Sequence, residues 1–557
     1  MKRTLLAISL IATVSYLHAQ TIPSSVQKAE SSVDGEKIRA HVKFLADDLL
    51  EGRGPGLRGS ELAAKYIATQ FALYGLKPAG DNGTYLQQIN FVGMKAIPEK
   101  TTMSLLPKHA AGIGIELHSV DLKYADDYTV SNRTLTPSVD VEAPIVFVGY
   151  GVTAPEFGWD DYAGIDVKGK VVLCIVGDPP SDDPKFFGGK ALTYYGRWTY
   201  KFEEAARHGA VGALIIHRTD LASYGWDVVK NSNTSEKTYL RDNKDPQLQE
   251  ASWIQLDVAK QIFPLSGMNL DEQFAAAGKK GFKAVELPTR LQTHVESVVR
   301  PFQSANVVGI LPGADAGGKD QAALYTAHFD HLGFVPGMAG DNIYNGAADN
   351  ATGCGMLLEM ARAWSSMGIK PPHSVIFAAV TAEEQGLLGS EYLGQHPPIP
   401  AGQIALDINY DMILPIGIQK QINVNGAQRT DFYPTVQATA KHFDLEIVPD
   451  PRPEAGSYYR SDHFSLSRVG IPAFSVEAGE LYEGHDTAWG KAKFQAFEDH
   501  DYHNFSDNYH EDWDFRGNAK LVRFGMDLGW QVISAPKILS WKSGDEFEAA
   551  RKKSMTQ

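Results

Sequence analysis

The residues best suited to chemistry in this chain are acids and histidines gathered in its last third, each at or near the end of an apolar run. The run Ala322 to Ala327 ends in His328-Phe329-Asp330-His331. A metal-bound imidazole needs its second nitrogen fixed by an acceptor, and Asp330, two residues on and on the same side of an extended chain, is placed to do that. A histidine at a strand end is also a common surface or core residue, and His331 is read as structural. Next, the segment Asn345 to Gly353 sets Asp349 among small residues ahead of an apolar helix. It is either a helix cap or a carboxylate whose two oxygens ligate two cations. The run Ser374 to Thr381 leads into Glu383-Glu384. Adjacent acids after a buried strand are costly to desolvate unless something positive compensates them, the alternative being a solvated acidic helix start. Neighbouring side chains diverge at such a corner, so one carboxylate can ligate while the other faces water. Asp411, near the end of the run Ile404 to Ile413, lies between Tyr410 and Met412 and is a further ligand candidate, whereas Asp407 reads as structural or edge-exposed.

Stepping outward from these residues, the runs Asn306 to Leu311, Ala322 to Ala327, Ser374 to Thr381, Ile404 to Ile413 and Ile471 to Val476 alternate with helical stretches such as Thr352 to Trp364. Buried runs alternating with helices predict an α/β fold, a mixed central sheet with helices on both faces. In that architecture ligands collect outside the carboxyl ends of the strands, where the acids and histidines fall. Helical periodicity over residues 36 to 75, broken by the turn Gly52 to Gly59, predicts two helices joined by a tight loop. From about 126 to 295 the texture changes to short β-rich runs, Ala143 to Gly151 and Lys168 to Gly177 among them, which predicts a separate module. The expected organisation is therefore a leader at 1–20, the first part of the main domain at 21–125, an inserted module at 126–295 and the rest of the main domain at 296–557.

The leader rests on Lys2 and Arg3, an apolar stretch from Leu5 to Val14, and Ala19 before Gln20, the pattern of a secretory signal peptide too short to span a bilayer. Export to the periplasm or the extracellular space is the expectation, with no later segment apolar enough to cross a membrane. The formal charge of −15 becomes −17 once Lys2 and Arg3 are removed, since the leader carries no acid. That balance argues against nucleic acid or an anionic membrane as the main partner. With only two cysteines, Cys174 and Cys354, neither a disulfide framework nor a thiolate metal site is expected, so any metal must use His, Asp and Glu.

The strings TAHFDHLG, NGAADNATG, TAEEQGLLGS, NYDMI, RSDHFSLSRVGIPA and YHNFSD, in this order, resemble the co-catalytic zinc exopeptidases typified by bacterial leucyl aminopeptidase, a superfamily that also holds glutamate carboxypeptidase, glutaminyl cyclase and the transferrin receptor. The β-rich module resembles the protease-associated domain that many members insert. The resemblance implies two zinc ions per chain, one held by His328 and Asp411, the other by Glu384 and His503, with Asp349 bridging. It implies Glu383 as general base and Asp330 as the orienter of His328. Of the three histidines in the closing region, His503 in Tyr502-His503-Asn504-Phe505-Ser506-Asp507 fits the family's last motif, with Phe505 where a proline is usual. His463 and His485 fit less well. Peptides are the implied substrates and an aminopeptidase the expected activity. A carboxypeptidase would need cations for a terminal carboxylate, for which Arg460 is the evident residue; a cyclase or a non-catalytic receptor-like protein fits the full ligand set less well.

Overall fold

The computed structural model describes residues 22–107, 118–222, 224–314 and 321–556, so the expected leader lies outside the described residues. Four parallel strands form the heart of the main domain, in the spatial order Ala473–Ser475, Ile404–Asn409, Ala322–His328 and Val375–Val380. Their side chains are buried on both faces, which is why they read as continuous apolar runs rather than alternating ones. The antiparallel strand Val285–Leu311 closes one side, making the sheet mixed. The fold is thus the expected mixed α/β arrangement.

Helices cover the sheet because each has an apolar face to bury. Thr352–Ser365 is buried along nearly its whole length, and it packs against the helices Gly35–Leu45 and Arg516–Ile533. Gly355 permits the first contact: a Cβ there would stand 3.1 Å from the carbonyl oxygen of Ile38. The two helices expected between 36 and 75 are Gly35–Leu45 and Arg58–Leu73, joined through a short 3₁₀ segment at Asp48–Arg53.

The β-rich stretch expected to form a module is built on a second set of strands, Tyr128–Ser131, Glu250–Ile254, Gly212–Ile216, Val171–Ile175 and Ser138–Phe147, in that spatial order. Successive residues of Val171–Val176 serve two apolar clusters: Val171, Leu173 and Ile175 join one, Val172, Cys174 and Val176 the other. Both faces of this sheet are therefore covered, as the period of two requires.

Strand pairing crosses the expected bounds of 126 and 295. Thr102–Leu106 and Val120–Leu122 already belong to its sheet, while Lys237–Leu240, inside the expected interval, pairs back onto Leu86–Ala96 of the main domain. The return crossing has no linker at all. One 27-residue strand, Val285–Leu311, pairs with Ser138–Phe147 near its start and with Leu86–Ala96 and Val375–Val380 further on. A composition shift cannot mark a boundary that falls within an unbroken strand.

Candidate metal centre

The registers His328↔Val380, Thr326↔Asn409 and Asn409↔Ser475 bring the carboxyl ends of the four parallel strands to one edge of the sheet. His328, His331, Glu383, Glu384 and Asp411 follow from those ends, while Asp349 comes from the segment before the helix Thr352–Ser365 and His503 from the turn after the helix Thr487–His500. His328 Nε2 lies 3.1 Å from Asp411 Oδ1 and 3.3 Å from Asp349 Oδ1. The other oxygen of Asp349, Oδ2, lies 3.3 Å from His503 Nε2, which in turn lies 3.1 Å from Glu384 Oε2. His328, Asp349 and Asp411 thus offer one trio of donor atoms within 4.8 Å of one another, and His331, Asp349 and Glu384 offer a second. His331, read from the sequence as structural, stands with Nδ1 2.7 Å from Glu384 Oε1. His503 is the open side of the cluster at 37% exposure, against 1% for His328.

Each donor is held by its own loop. Gly346, at φ +55°, turns the chain into the Asp349 segment, and a Cβ there would meet the His331 ring at 2.5 Å. Asp507 accepts from the backbone N–H groups of Ala348 (2.8 Å) and Asp349 (3.0 Å). Asn350 Oδ1 accepts from Gly353 N and Met412 N, and its Nδ2 donates to the Tyr410 carbonyl, tying the Asp349 loop to the Asp411 loop. The donor at the start of the following helix is therefore met by Asn350, and the carboxylate of Asp349 is left to face the imidazoles. Ser461 Oγ donates to Asp411 Oδ2 at 2.5 Å and accepts from Asn409 Nδ2 at 2.7 Å. Asp330 has a different reach from that expected. His328 Nδ1 faces the backbone carbonyl of Asp330 at 3.2 Å, while the carboxylate stands 3.8 Å away and accepts from the backbone N–H of Glu383 at 3.2 Å.

Residues 306–522, which carry every one of these donors, match the description Peptidase family M28. This stretch is a Peptidase family M28 domain. The chain is 28% identical over 221 residues to leupeptin-inactivating enzyme 1 of Streptomyces exfoliatus, covering 38% of this chain and 46% of that protein. It is 33% identical over 119 residues to a probable zinc metalloprotease of Pyrenophora tritici-repentis, covering 21% of this chain and 26% of that one. The matched stretches span less than half the length of either curated relative. Among solved structures, the aminopeptidase from Aneurinibacillus sp. strain AM-1 is 19% identical with a TM-score of 0.48, over 92% of this chain and 97% of that one.

Within the M28 domain the remaining candidates fall apart from the cluster. His463 is buried with its ring against Tyr458, 4.7 Å between centroids. His485 stacks on Trp489 at 3.8 Å, in the turn where Asp486 caps the helix Thr487–His500. Asp407 is fully buried, not edge-exposed, and accepts from the Thr326 hydroxyl at 3.0 Å. Glu384 is 4% exposed and precedes the helix Leu388–Gln395 rather than starting it as a solvated acid.

The facing acids and imidazoles shift one another's proton affinity. Burial opposes a charged His328, but Asp411, Glu383 and Asp349 together hold its imidazole well above the usual range. Burial likewise raises Asp349 and Glu384, yet the facing imidazoles hold both carboxylates below their ordinary values. Glu383 goes the other way: burial and the neighbouring charges of Glu384 and Asp411 push its carboxyl well up. Two adjacent acids of one M28 loop are thus driven apart by what each faces.

One positioning residue escaped the sequence reading. Arg53, in the glycine-rich turn far upstream, is 1% exposed and points its guanidinium into the back of the centre. It donates to the carbonyls of Phe329 (2.6 Å), Asn345 (2.6 Å), Gly346 (2.8 Å) and Leu45. Phe329 adjoins His328, Asn345 and Gly346 lead into the Asp349 loop, and Leu45 ends the helix Gly35–Leu45. The only signal was an arginine inside Gly52-Arg53-Gly54, where a tight turn rather than a charge is the usual need.

Proposed function

We propose that this protein is a two-zinc aminopeptidase that releases N-terminal residues from peptides. The observation that carries the reading is the position of Asp349, whose two oxygens face two different imidazoles, with Asp411 and Glu384 flanking them. The donor set fits the ions: imidazole nitrogens and carboxylate oxygens are zinc ligands, and among the described residues no Lys or Arg stands within 4 Å of these carboxylates to compensate them. His328 and Asp411 would hold one zinc, Glu384 and His503 the other, and Asp349 both. Bound there, the ions supply Lewis acidity that polarises a carbonyl and lowers the pKa of water toward neutrality.

The chain's own groups do the rest. Glu383 would accept the proton of the attacking water and pass it to the leaving amine, the role of a carboxylate within reach of both. Asp330 fixes the Glu383 backbone, and Ser461 holds Asp411 in orientation. Asp411 and Glu383 also offer acceptors for the ammonium of a peptide's first residue. The β-rich module, read as a protease-associated domain, frames the entrance: Leu192 N donates to the Pro453 carbonyl at 3.1 Å, and Arg468 reaches Glu203 at 3.0 Å. Residues 1–20 are taken as an export signal, so that the enzyme works in the periplasm or outside the cell. N-terminal sequencing of the exported protein tests that point, with cleavage near Ala19 or Gln20 expected. Among the described residues no helix is long and apolar enough to cross a membrane.

A carboxypeptidase is the second reading, and one observation favours it. A cavity of ≈ 240 Å³ is lined by Arg197, Lys237 and Arg460, the last one residue before Ser461, with no acidic side chain, and Arg197 Nε has no hydrogen-bond partner. Such a pocket suits a carboxylate. Elemental analysis and digestion of unblocked, N-acetylated and C-amidated peptides, read by mass, decide between them. The aminopeptidase reading expects close to two zinc ions per chain and shortening from the N-terminus, blocked by acetylation. Shortening from the C-terminus, blocked by amidation, would replace it with the second reading.

A further inference from the structure

A larger cavity, ≈ 510 Å³, opens between the β-rich stretch and the M28 domain on the other side of Leu192. Its lining loop, Gly456 to Tyr459, runs directly into Ser461, whose hydroxyl holds Asp411. Its floor includes Asn423 and Asn425, and Asn423 pairs across the sheet with Glu477. Glu477 feels the charges of both Asp450, in the cavity wall, and Asp411, in the metal centre. The cavity is thus tied to the Asp411 side of the centre through the loop that carries Ser461.

The cavity's chemistry is amphipathic. Leu192, Val424, Ile447, Val448 and the Tyr458 ring supply apolar wall, while Asp450 carries the acid. The one cationic lining residue, Arg429, is fully engaged: it is bidentate to Asp545 (2.7 and 2.9 Å), reaches Glu546 at 2.6 Å and lies over the Tyr458, Trp541 and Phe547 rings. Asp450 has no such partner. Its Oδ1 accepts from the backbone N–H of Arg452 at 2.8 Å, its Oδ2 faces Asn425 Nδ2 at 3.5 Å, and the Arg452 guanidinium turns away to Glu498. Among the described residues no Lys or Arg nitrogen lies within 4 Å of it, so a carboxylate faces an apolar-walled cavity without a counter-ion. A long side chain with an aliphatic stem and a positive head matches both features at once, the stem on the wall and the head at Asp450.

We propose that this cavity receives the side chain of the substrate's N-terminal residue and that Asp450 selects lysine or arginine there. The inference rests on the aminopeptidase reading for its place in the reaction, but the binding itself can be measured without turnover. Lysine and norleucine share the stem and differ by the charged head, so they isolate the role of Asp450.

The test uses the zinc-loaded full chain and its Asp450→Asn variant. Lysyl, arginyl, leucyl and norleucyl 4-nitroanilides give kcat/KM, and calorimetry with L-lysinamide and L-norleucinamide gives affinity. The expected result is a lysyl-to-norleucyl ratio of at least ~10 in the parent, falling about 10- to 100-fold in Asp450→Asn, as loss of a charge-assisted contact implies. Asp450→Glu, which keeps the charge, should restore part of the ratio. Equal handling of lysyl and norleucyl probes by the parent would overturn the inference, as would a ratio that Asp450→Asn leaves in place. If no anilide is cleaved but lysinamide binding depends on Asp450, the pocket assignment stands and the aminopeptidase reading falls. If neither cleavage nor Asp450-dependent binding occurs, both fall.

Discussion

Replacing Arg53 by lysine tests how the centre is held from behind. The arginine spends its fork on four carbonyls, those of Leu45, Phe329, Asn345 and Gly346, and among the described residues no carboxylate lies within 4 Å of it. Lysine keeps the charge but gathers its donors at one point, so it cannot span carbonyls on three separate segments. If roughly two of the four bonds are lost, at about 1.5–3 kcal/mol for each bond from a charged donor, the cost is ~3–6 kcal/mol. That is a large share of the ~5–15 kcal/mol by which domains are stable, yet it leaves a folded protein to measure. Urea unfolding followed by tryptophan fluorescence should show a markedly lower midpoint for Arg53→Lys. Zinc titration against a chromophoric chelator should show weakened binding, because Phe329 adjoins His328 and Asn345 and Gly346 lead into the Asp349 loop. Methionine at this position should be worse than lysine, since it buries four carbonyls with no donor. If Arg53→Lys keeps the parental urea midpoint and the parental zinc affinity, the clasp is not what positions these loops.

Three further outcomes are expected. Glu383→Gln should keep the parental metal content while turnover falls by ~10²–10⁴-fold, whereas Glu384→Gln should lose metal first, so elemental analysis beside steady-state kinetics separates the two roles; the reverse pattern would exchange them. His503→Ala should lose a metal and nearly all activity, while His485→Ala, changing only a ring stacked on Trp489, should keep its metal content; a metal loss in His485→Ala alone would misplace the last ligand. Away from the centre, burial raises the carboxyl of Glu250 from 4.5 to about 8, against the opposing bond from Ser252. The folded chain therefore holds a proton that the unfolded chain has released between those values, and this group's contribution is fully present below 4.5 and lost as pH rises to about 8. Glu250→Gln should flatten that dependence and be the more stable protein at pH near 9, by an amount on the order of a few kcal/mol. Parallel pH profiles of Tm for parent and variant would count against the buried charge.

What the sequence determined by itself was which acids and histidines are candidates and their order along the chain. His328, Asp349, Glu383, Glu384 and Asp411 were legible because each follows or leads into an apolar run, and a parallel sheet buried on both faces writes its strands as such runs. The helices around 36 to 75 and 352 to 365 were legible from their period for the same local reason. The tertiary structure decided what depends on meeting at a distance. Whether Asp349 caps a helix or faces two imidazoles turns on Asn350 taking the helix donor and Asp507 turning the loop, neither of which is a property of Asp349's own segment. His331 reaches Glu384, and Asp330 reaches the Glu383 backbone, only because two adjacent strands end in register. The module's edges are invisible in composition because one continuous strand serves both sheets, and pairing partners, not residue types, divide it. Arg53 is the clearest case: its neighbours in sequence announce a turn, while its role is set by carbonyls nearly three hundred residues away that only the packed fold brings within hydrogen-bonding distance.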